Sequence, residues 1–289
     1  MKFTIGLHIT KTEFLKETLD SLSAQTYQNF ELIIRNNAKD PKVKKKIKEM
    51  CTPWLDKPQV VYLETEEQVG MIENFNGIVE VAQGDYITIL SDDDVMHPDY
   101  IKEFNWISDI YPAVNVFHCR FRHIDESSKM LKISESYPEY ESCSDFVFHF
   151  LNGHRAINLS NFMVSTHALR KMGGFTTVTE AYGLDTLTWL ALSKNGIGFI
   201  NKPLLNYRVN TFNYSNNVEK LLIRLEDIRT MKEEIEKLIL SEEFQADSTY
   251  PQDYLLHQNE EAFKLDIKST IYDIALKLNT PKFVAFYLK

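Results

Sequence analysis

Four short apolar runs constrain the fold of this chain most: Phe3 to Ile9, Phe30 to Arg35, Val60 to Glu64 and Asp85 to Leu90. Helical spacing appears between them, as in Phe14, Leu15, Thr18, Leu19 and Leu22 on one face. Strand-length runs alternating with helices imply a parallel sheet with helical crossovers. Thr10 and Glu13 fit a capping box at the start of the first helix, the threonine accepting and the glutamate reaching back. In such open sheets, ligands bind at the carboxyl ends of strands. The fourth run meets charge abruptly there, in Tyr86-Ile-Thr-Ile-Leu-Ser-Asp-Asp-Asp-Val95. Adjacent carboxylates repel, so Asp92, Asp93 and Asp94 read either as a cation site or as a solvated, helix-capping turn. The residues alone leave both open.

Downstream, His97-Pro98-Asp99 opens a helix and Val114 to Phe121 reads as a strand. Residues 125–145 are polar and read as a loop. Phe162 to Ser165 is a short strand, followed by a helix over His167 to Met172 that stops at Gly173-Gly174. Thr186 to Ser193 is helical and Leu204 to Arg208 extended. From about Asn216 the pattern changes: Leu221, Leu225, Ile228, Met231, Ile235 and Leu238 recur at helical steps among charges. This long amphipathic helix packs on its own chain or on a second copy; a mixed acidic face suits anionic lipid poorly. A further helix is expected over Asp266 to Leu278.

The chain of 289 residues is long enough for one large domain or one and a half. Its net charge of −9, from 32 basic and 41 acidic residues, argues against a nucleic-acid partner. Lys42 to Lys48 reads as a solvated helix face. Cys51, Cys119 and Cys143 share no metal-ligand spacing and suggest buried thiols in a reducing compartment. The first nine residues are too short and polar for a signal sequence, and no run approaches membrane-spanning length, so a cytoplasmic location is expected.

Several segments carry a resemblance by standing in a particular order: Thr18 to Ile34, Gln68 to Asn76, Gly84 to Asp94 with Pro98, and Met172-Gly-Gly-Phe175. Gly183-Leu-Asp-Thr-Leu-Thr-Trp-Leu190 and Tyr207-Arg208 complete the series. In these the chain resembles the inverting family 2 glycosyltransferases of GT-A fold over residues 1–215. The resemblance implies an α/β fold: a Rossmann-like, mixed, mostly parallel sheet flanked by helices. It also implies a nucleotide-sugar half over about 1–100, an acceptor half over about 101–215, and a helical extension over 216–289. The implied reaction moves a sugar from a nucleotide donor, with UDP favoured, to a hydroxyl of a saccharide or lipid-linked saccharide. Contact with a membrane surface enters only through such acceptors.

The same resemblance assigns residues. Asp93 is the metal ligand for Mn²⁺ or Mg²⁺, and Asp92 shares the cation or holds the ribose. Asp94 either joins them or caps the next helix. Asn210 stands where the family often carries a metal-binding His. His8, Ile9 and Thr10 cradle base and ribose; Asn36 and Asn37 stand where an Asp commonly binds uracil. Asn74 and Asn76 approach base and phosphate, or cap a helix, and Arg208 grips the diphosphate. The general base is Asp185. Asn152 to Arg155 and Asn158 to Asn161 are polar loops suited to sugar hydroxyls, while Trp106 and Trp189 read as core. Ser91, Leu184 and Asn210 depart from the family pattern, which keeps a catalytically degenerate, nucleotide-sugar-binding scaffold as the alternative. Dehalogenase-type phosphatases fail at Met96, where their pattern needs Thr or Val, and no strand leads into the Gly-rich turn of a dinucleotide reductase.

Overall fold

The computed structural model describes residues 3–176, 178–179, 181–209 and 218–277. In chain order the first elements are β1 (Phe3–Ile9), α1 (Leu15–Ser23), β2 (Phe30–Asn36), α2 (Pro41–Leu55), β3 (Val60–Glu64) and α3 (Met71–Val81). Then come β4 (Tyr86–Ser91), β5 (Val95–Met96), α4 (Tyr100–Ile110), β6 (Val116–Ile124), β7 (Met130–Ile133), β8 (Tyr140–Glu141) and α5 (Cys143–Leu151). The last are β9 (Phe162–Ser165), α6 (Thr166–Lys171), α7 (Leu184–Leu192), β10 (Ile197–Arg208), α8 (Val218–Leu240), α9 (Glu242–Asp247) and α10 (Gln252–Lys277).

Two compact units emerge. One comprises residues 1–141, 156–175 and 195–209, the other residues 142–155, 176–194 and 210–289. This partition is not linear: α5 and α7 group with the C-terminal helices rather than with the sheet.

The first unit holds a mixed sheet in the order β3-β2-β1-β4-β9-β6-β10-β5, with β7 on β6 and β8 on β10. β1 runs parallel to β2 and β4, so Ile9 lies opposite Asn36 and His8 opposite Ser91. Phe3, Ile5, Leu7 and Ile9 are wholly buried beside Gly6, His8 and the other strand residues, as a central strand covered on both faces requires. β9 enters antiparallel to both β4 and β6, which makes the sheet mixed. In β10 the register against β6 slips around Pro203, where a residue without an amide hydrogen is accommodated by the irregularity.

Several expectations are corrected. α1 starts at Leu15 behind Phe14, with no side-chain cap; Thr10 turns instead toward Asp92. The segment 125–145 is not a loop: β7 and β8 pair with β6 and β10, and Ser142 caps α5 by accepting from the Asp145 amide. Their short length hid these strands from a pattern of alternation. Lys44 is not solvated; its ammonium donates to the carbonyls of Thr65 and Glu66. Trp106 is 47% exposed, whereas Trp189 is core at 1%.

In the second unit, α8 packs on α7, α9 and α10, and Ile228, Ile235 and Ile239 are buried. Thus much of the apolar face of α8 is covered by its own chain. Among the described residues no helix is long and apolar enough to cross a membrane.

Candidate active site

Because β1 and β4 are parallel neighbours, the turn after each emerges at the same edge of the sheet. There the Asp92 carboxylate is gripped by the turn after β1. Its Oδ2 accepts from the Thr10 amide (2.7 Å), the Thr10 hydroxyl (3.2 Å) and the Lys11 amide (3.0 Å). The Lys11 ammonium lies 2.7 Å from Asp93 Oδ2 and 3.9 Å from Asp92 Oδ1. Burial raises the Asp92 pKa to about 6, with the Lys11 charge and the two amides opposing it. His8 stands beside this pair, its Nε2 at 3.4 Å from Ser91 Oγ and its ring against Phe75. Burial lowers the His8 pKa to about 4; Asp93 opposes the shift and Lys11 adds to it.

Asp94 faces the other way. Its Oδ1 accepts from the Arg208 amide at 3.0 Å, and it bonds the Ser160 hydroxyl. Burial, then the charge of Asp93, push its pKa up. It does not cap α4, whose N-cap position is Asp99. Arg208 is 0% exposed. Its Nε donates to the Asp93 carbonyl (2.9 Å), Nη1 to the Asp125 carbonyl and Ser128 Oγ (both 3.0 Å), and Nη2 to Glu17 Oε2 (2.9 Å). The guanidinium also stacks over Phe14 at 4.2 Å. A guanidinium so committed braces the aspartate turn from behind, which corrects its assignment to the diphosphate.

The asparagines are corrected in the same sense. Asn36 is buried; its Nδ2 donates to the Lys44 carbonyl, the Tyr62 hydroxyl and Glu64. Asn37 Nδ2 donates to the Val69 carbonyl, while its Oδ1 accepts from the Val69 amide and the Thr65 hydroxyl. Asn36 therefore ties α2 to β3 and Asn37 holds the loop after β3, rather than offering an edge to a base. Asn74 and Asn76 lie inside α3, not at its cap, which is Gly70. Asn74 accepts from Arg35 Nε at 3.0 Å, and Asn76 from the Phe175 amide at 2.8 Å. Gly174, at φ +96°, lies so close to Asn76 that an added Cβ would collide with it. Asn158 and Asn161 close a capping box on a turn of 3₁₀ helix, and the Ser160 hydroxyl accepts from the Ser91 amide. That loop braces the aspartates from within.

In the second unit, Asp185 occupies the second position of α7 behind Gly183, a left-handed residue at φ +73°. Its Oδ1 accepts from the Thr186 amide at 2.8 Å. Burial raises its pKa despite that hydrogen bond. Asn210 lies outside the described residues.

Comparison with known proteins places this arrangement. The family model described as Glycosyl transferase family 2 matches residues 10–175, more than half of the chain. The chain belongs to glycosyl transferase family 2. An uncharacterized glycosyltransferase of Methanocaldococcus jannaschii is 28% identical over 213 residues, covering 72% of this chain and 70% of that one. One from Rickettsia prowazekii is 24% identical over 217 residues, covering 74% of this chain and 66% of that one. Among solved structures, S. aureus TarS 1–349 with UDP-GlcNAc superposes with a TM-score of 0.64 at 14% identity, covering 97% of this chain and 84% of that one. The mannosyltransferase PcManGT of Pyrobaculum calidifontis, with GDP-Man and Mn²⁺, superposes with a TM-score of 0.59 at 15% identity, covering 96% and 86%. This glycosyltransferase thus has the GT-A fold.

Its donor set suits a hard divalent cation. The Lys11 ammonium already marks where positive charge rests, between Asp93 Oδ2 and Asp92 Oδ1. Magnesium and manganese sites in phosphate chemistry use one or two carboxylates, the substrate's phosphates and water. Among the described residues no group of three His, Cys, Asp or Glu side chains converges as a metal site, so protein ligands alone do not close one. Lys11 and Glu17 are the residues that motif reading missed, and Ser160, read as part of a sugar-binding loop, faces Ser91 and Asp94. Lys11 was legible in principle, as a cation two residues beyond a strand paired with the one that carries the aspartates.

Proposed function

We propose that this glycosyltransferase moves a sugar, with inversion, from a nucleotide-sugar donor to a hydroxyl of a saccharide or lipid-linked saccharide. The reading rests most on the aspartate turn, where Asp92 is locked by the residues after β1 and Asp93 pairs with the Lys11 ammonium. In it, Asp93 and Oδ1 of Asp92 would hold Mn²⁺ or Mg²⁺ against the donor's diphosphate, where the ion supplies Lewis-acid stabilisation of the leaving group. The end of β1 and the residue after it, His8 to Thr10, lie at the edge where the donor's nucleoside would sit. Asp185 accepts the proton of the acceptor hydroxyl as that oxygen bonds to the anomeric carbon. The bond from that carbon to the diphosphate breaks, and nucleoside diphosphate departs. Burial makes Asp185 more basic than an ordinary carboxylate, which suits a general base.

UDP remains the first donor to test on the resemblance, but Asn36 and Asn37 are turned into the fold and do not favour uracil. One neighbour holds UDP-GlcNAc and another GDP-Man, so both nucleotides belong in the assay. The test is calorimetric titration with UDP, GDP and dTDP in Mn²⁺, followed by donor turnover with Asp185→Asn as control. We expect one diphosphate to bind below millimolar and the variant to lose transfer while keeping that affinity. Equal, slow nucleotide release by both proteins with every acceptor extract would favour the scaffold instead.

A further inference from the structure

The C-terminal helices carry a role that family likeness does not reach. Asp227, on α8, is 0% exposed, and its two carboxylate oxygens accept from two backbone amides just ahead of α7. Oδ1 accepts from Thr179 at 2.5 Å and Oδ2 from Tyr182 at 3.1 Å. One turn earlier on α8, the Arg224 guanidinium lies 3.8 Å over the Tyr182 ring, and the Tyr182 hydroxyl donates to Asp266 on α10 at 3.2 Å. One turn later, Met231 lies against Gly183 so closely that any Cβ there would strike its sulfur. Three side chains of α8 and one of α10 thus converge on Thr179, Tyr182 and Gly183, and Asp185 follows two residues later.

That segment needs holding. Ala181 sits at φ +67° and Gly183 at φ +73°, and a left-handed alanine is unfavourable unless its surroundings impose it. Breaking the bonds from Thr179 and Tyr182 is costly because the Asp227 carboxylate is fully buried and has no water to turn to. The Leu184 amide donates back to the Ala181 carbonyl at 3.4 Å, tying the turn to the first residue of α7. We infer that Asp227 is a positioning residue: with Arg224, Met231 and Asp266 it sets the entry of α7 and therefore the direction of the Asp185 carboxylate. The C-terminal helical region is then part of the acceptor-activating machinery and not an appendage. The inference rests on the reading of Asp185 as the base.

The test uses the full chain and four proteins: wild type, Asp227→Asn, Asp185→Asn and the double variant. An asparagine keeps the shape but presents an NH₂ where an acceptor is needed, which releases one of the two amides. Asp227→Asn should lower kcat roughly ten- to a hundred-fold, the range a displaced catalytic group gives. Donor KM and nucleoside diphosphate affinity should stay within about two-fold, and the double variant should be no slower than Asp185→Asn alone. Tyr182→Phe, which removes the hydroxyl's bonds to Asp266 and Arg224 and keeps the ring, should show a smaller loss of kcat. Unchanged kcat in Asp227→Asn overturns the inference. So does a parallel fall in nucleotide affinity and melting temperature, or a loss that adds fully in the double variant. Full turnover by Asp185→Asn would instead remove the base assignment, and with it the reading beneath.

Discussion

Arg208 offers the sharpest separation between a motif's assignment and a fold's use of the same residue. The resemblance gives it the diphosphate; the structure buries it fully and engages its guanidinium with two carbonyls, one hydroxyl and one carboxylate. Consider Arg208→Met, which keeps bulk and removes the fork. The carbonyls of Asp93 and Asp125 then lose their donor, at about 1–3 kcal/mol for each buried acceptor left unmet. Glu17 adds little, since its side chain is 48% exposed and can return to water. Loss of the stack on Phe14 contributes about another 1 kcal/mol. The sum is roughly 3–7 kcal/mol, which spans the usual range of about 3–5 kcal/mol for removing one partner of a buried charged network. For a domain of this size each kcal/mol moves the melting temperature by about 2–4 °C, so a fall of roughly 10 °C is expected. Thermal melting by circular dichroism measures it, and the affinity for nucleoside diphosphate is measured well below the melt. The expected pattern is a large drop in Tm with affinity changed by less than about three-fold, because no guanidinium nitrogen is free for phosphate. An unchanged Tm with affinity lost by about a hundred-fold would refute the bracing argument and return Arg208 to the diphosphate.

Lys11→Met should raise Mn²⁺ affinity, because the ammonium now pairing with Asp93 competes for the same carboxylate. Manganese EPR titration without donor would show a gain of about ten-fold, a modest share of the repulsion between a divalent ion and a nearby ammonium. No gain would mean that Lys11 and the cation do not share Asp93. For His8 the sign follows from a folded pKa of about 4 set against 6.5 unfolded: its contribution is complete above pH 6.5 and is lost as pH falls toward 4. Between neutrality and pH 5 the loss is about 2 kcal/mol, and the pH dependence of stability should be correspondingly flatter in His8→Gln. Asp92, raised to about 6, works in the opposite direction in that window, so the comparison is the difference between the two proteins. Parallel curves would refute the assignment. The acid limb of kcat/KM should lie above the ordinary carboxylate range, since Asp185 is shifted upward, and activity should fall as pH drops through it. A limb at or below the ordinary range would contradict a buried base.

The sequence exposed the parallel half of the sheet because its strands are long, central and apolar. β1 and β3 have the bounds read from periodicity, and β2 and β4 differ by a residue. Legibility failed where pairing, and not pattern, makes the strand. β7 is exposed at all four residues and β8 has two residues, so neither shows alternation; each exists because β6 or β10 offers it an edge. The Thr10–Glu13 capping box failed for a related reason. Locally its spacing is sound, but the Thr10 amide and hydroxyl had a stronger partner in the Asp92 carboxylate, which lies next to them only once β1 and β4 pair.

At the site, ordered motifs located the carboxyl edge of the sheet but not the direction of its side chains. In β2, Arg35 and the buried Asn36 are consecutive, so they point to opposite faces. A motif aligned by position cannot tell which of them reaches a ligand, and Asn36 was turned inward to Tyr62 and Glu64. Asp92, Asp93 and Asp94 show the same effect over three residues. The first is held by the turn after β1, the second pairs with Lys11, and the third is held by Arg208 and Ser160. Three like charges are tolerated together because each meets a different set of donors, so the triplet is neither a plain acidic turn nor a three-ligand cation site. Two of its members are held by backbone and hydroxyl donors, while Asp93 faces the Lys11 ammonium.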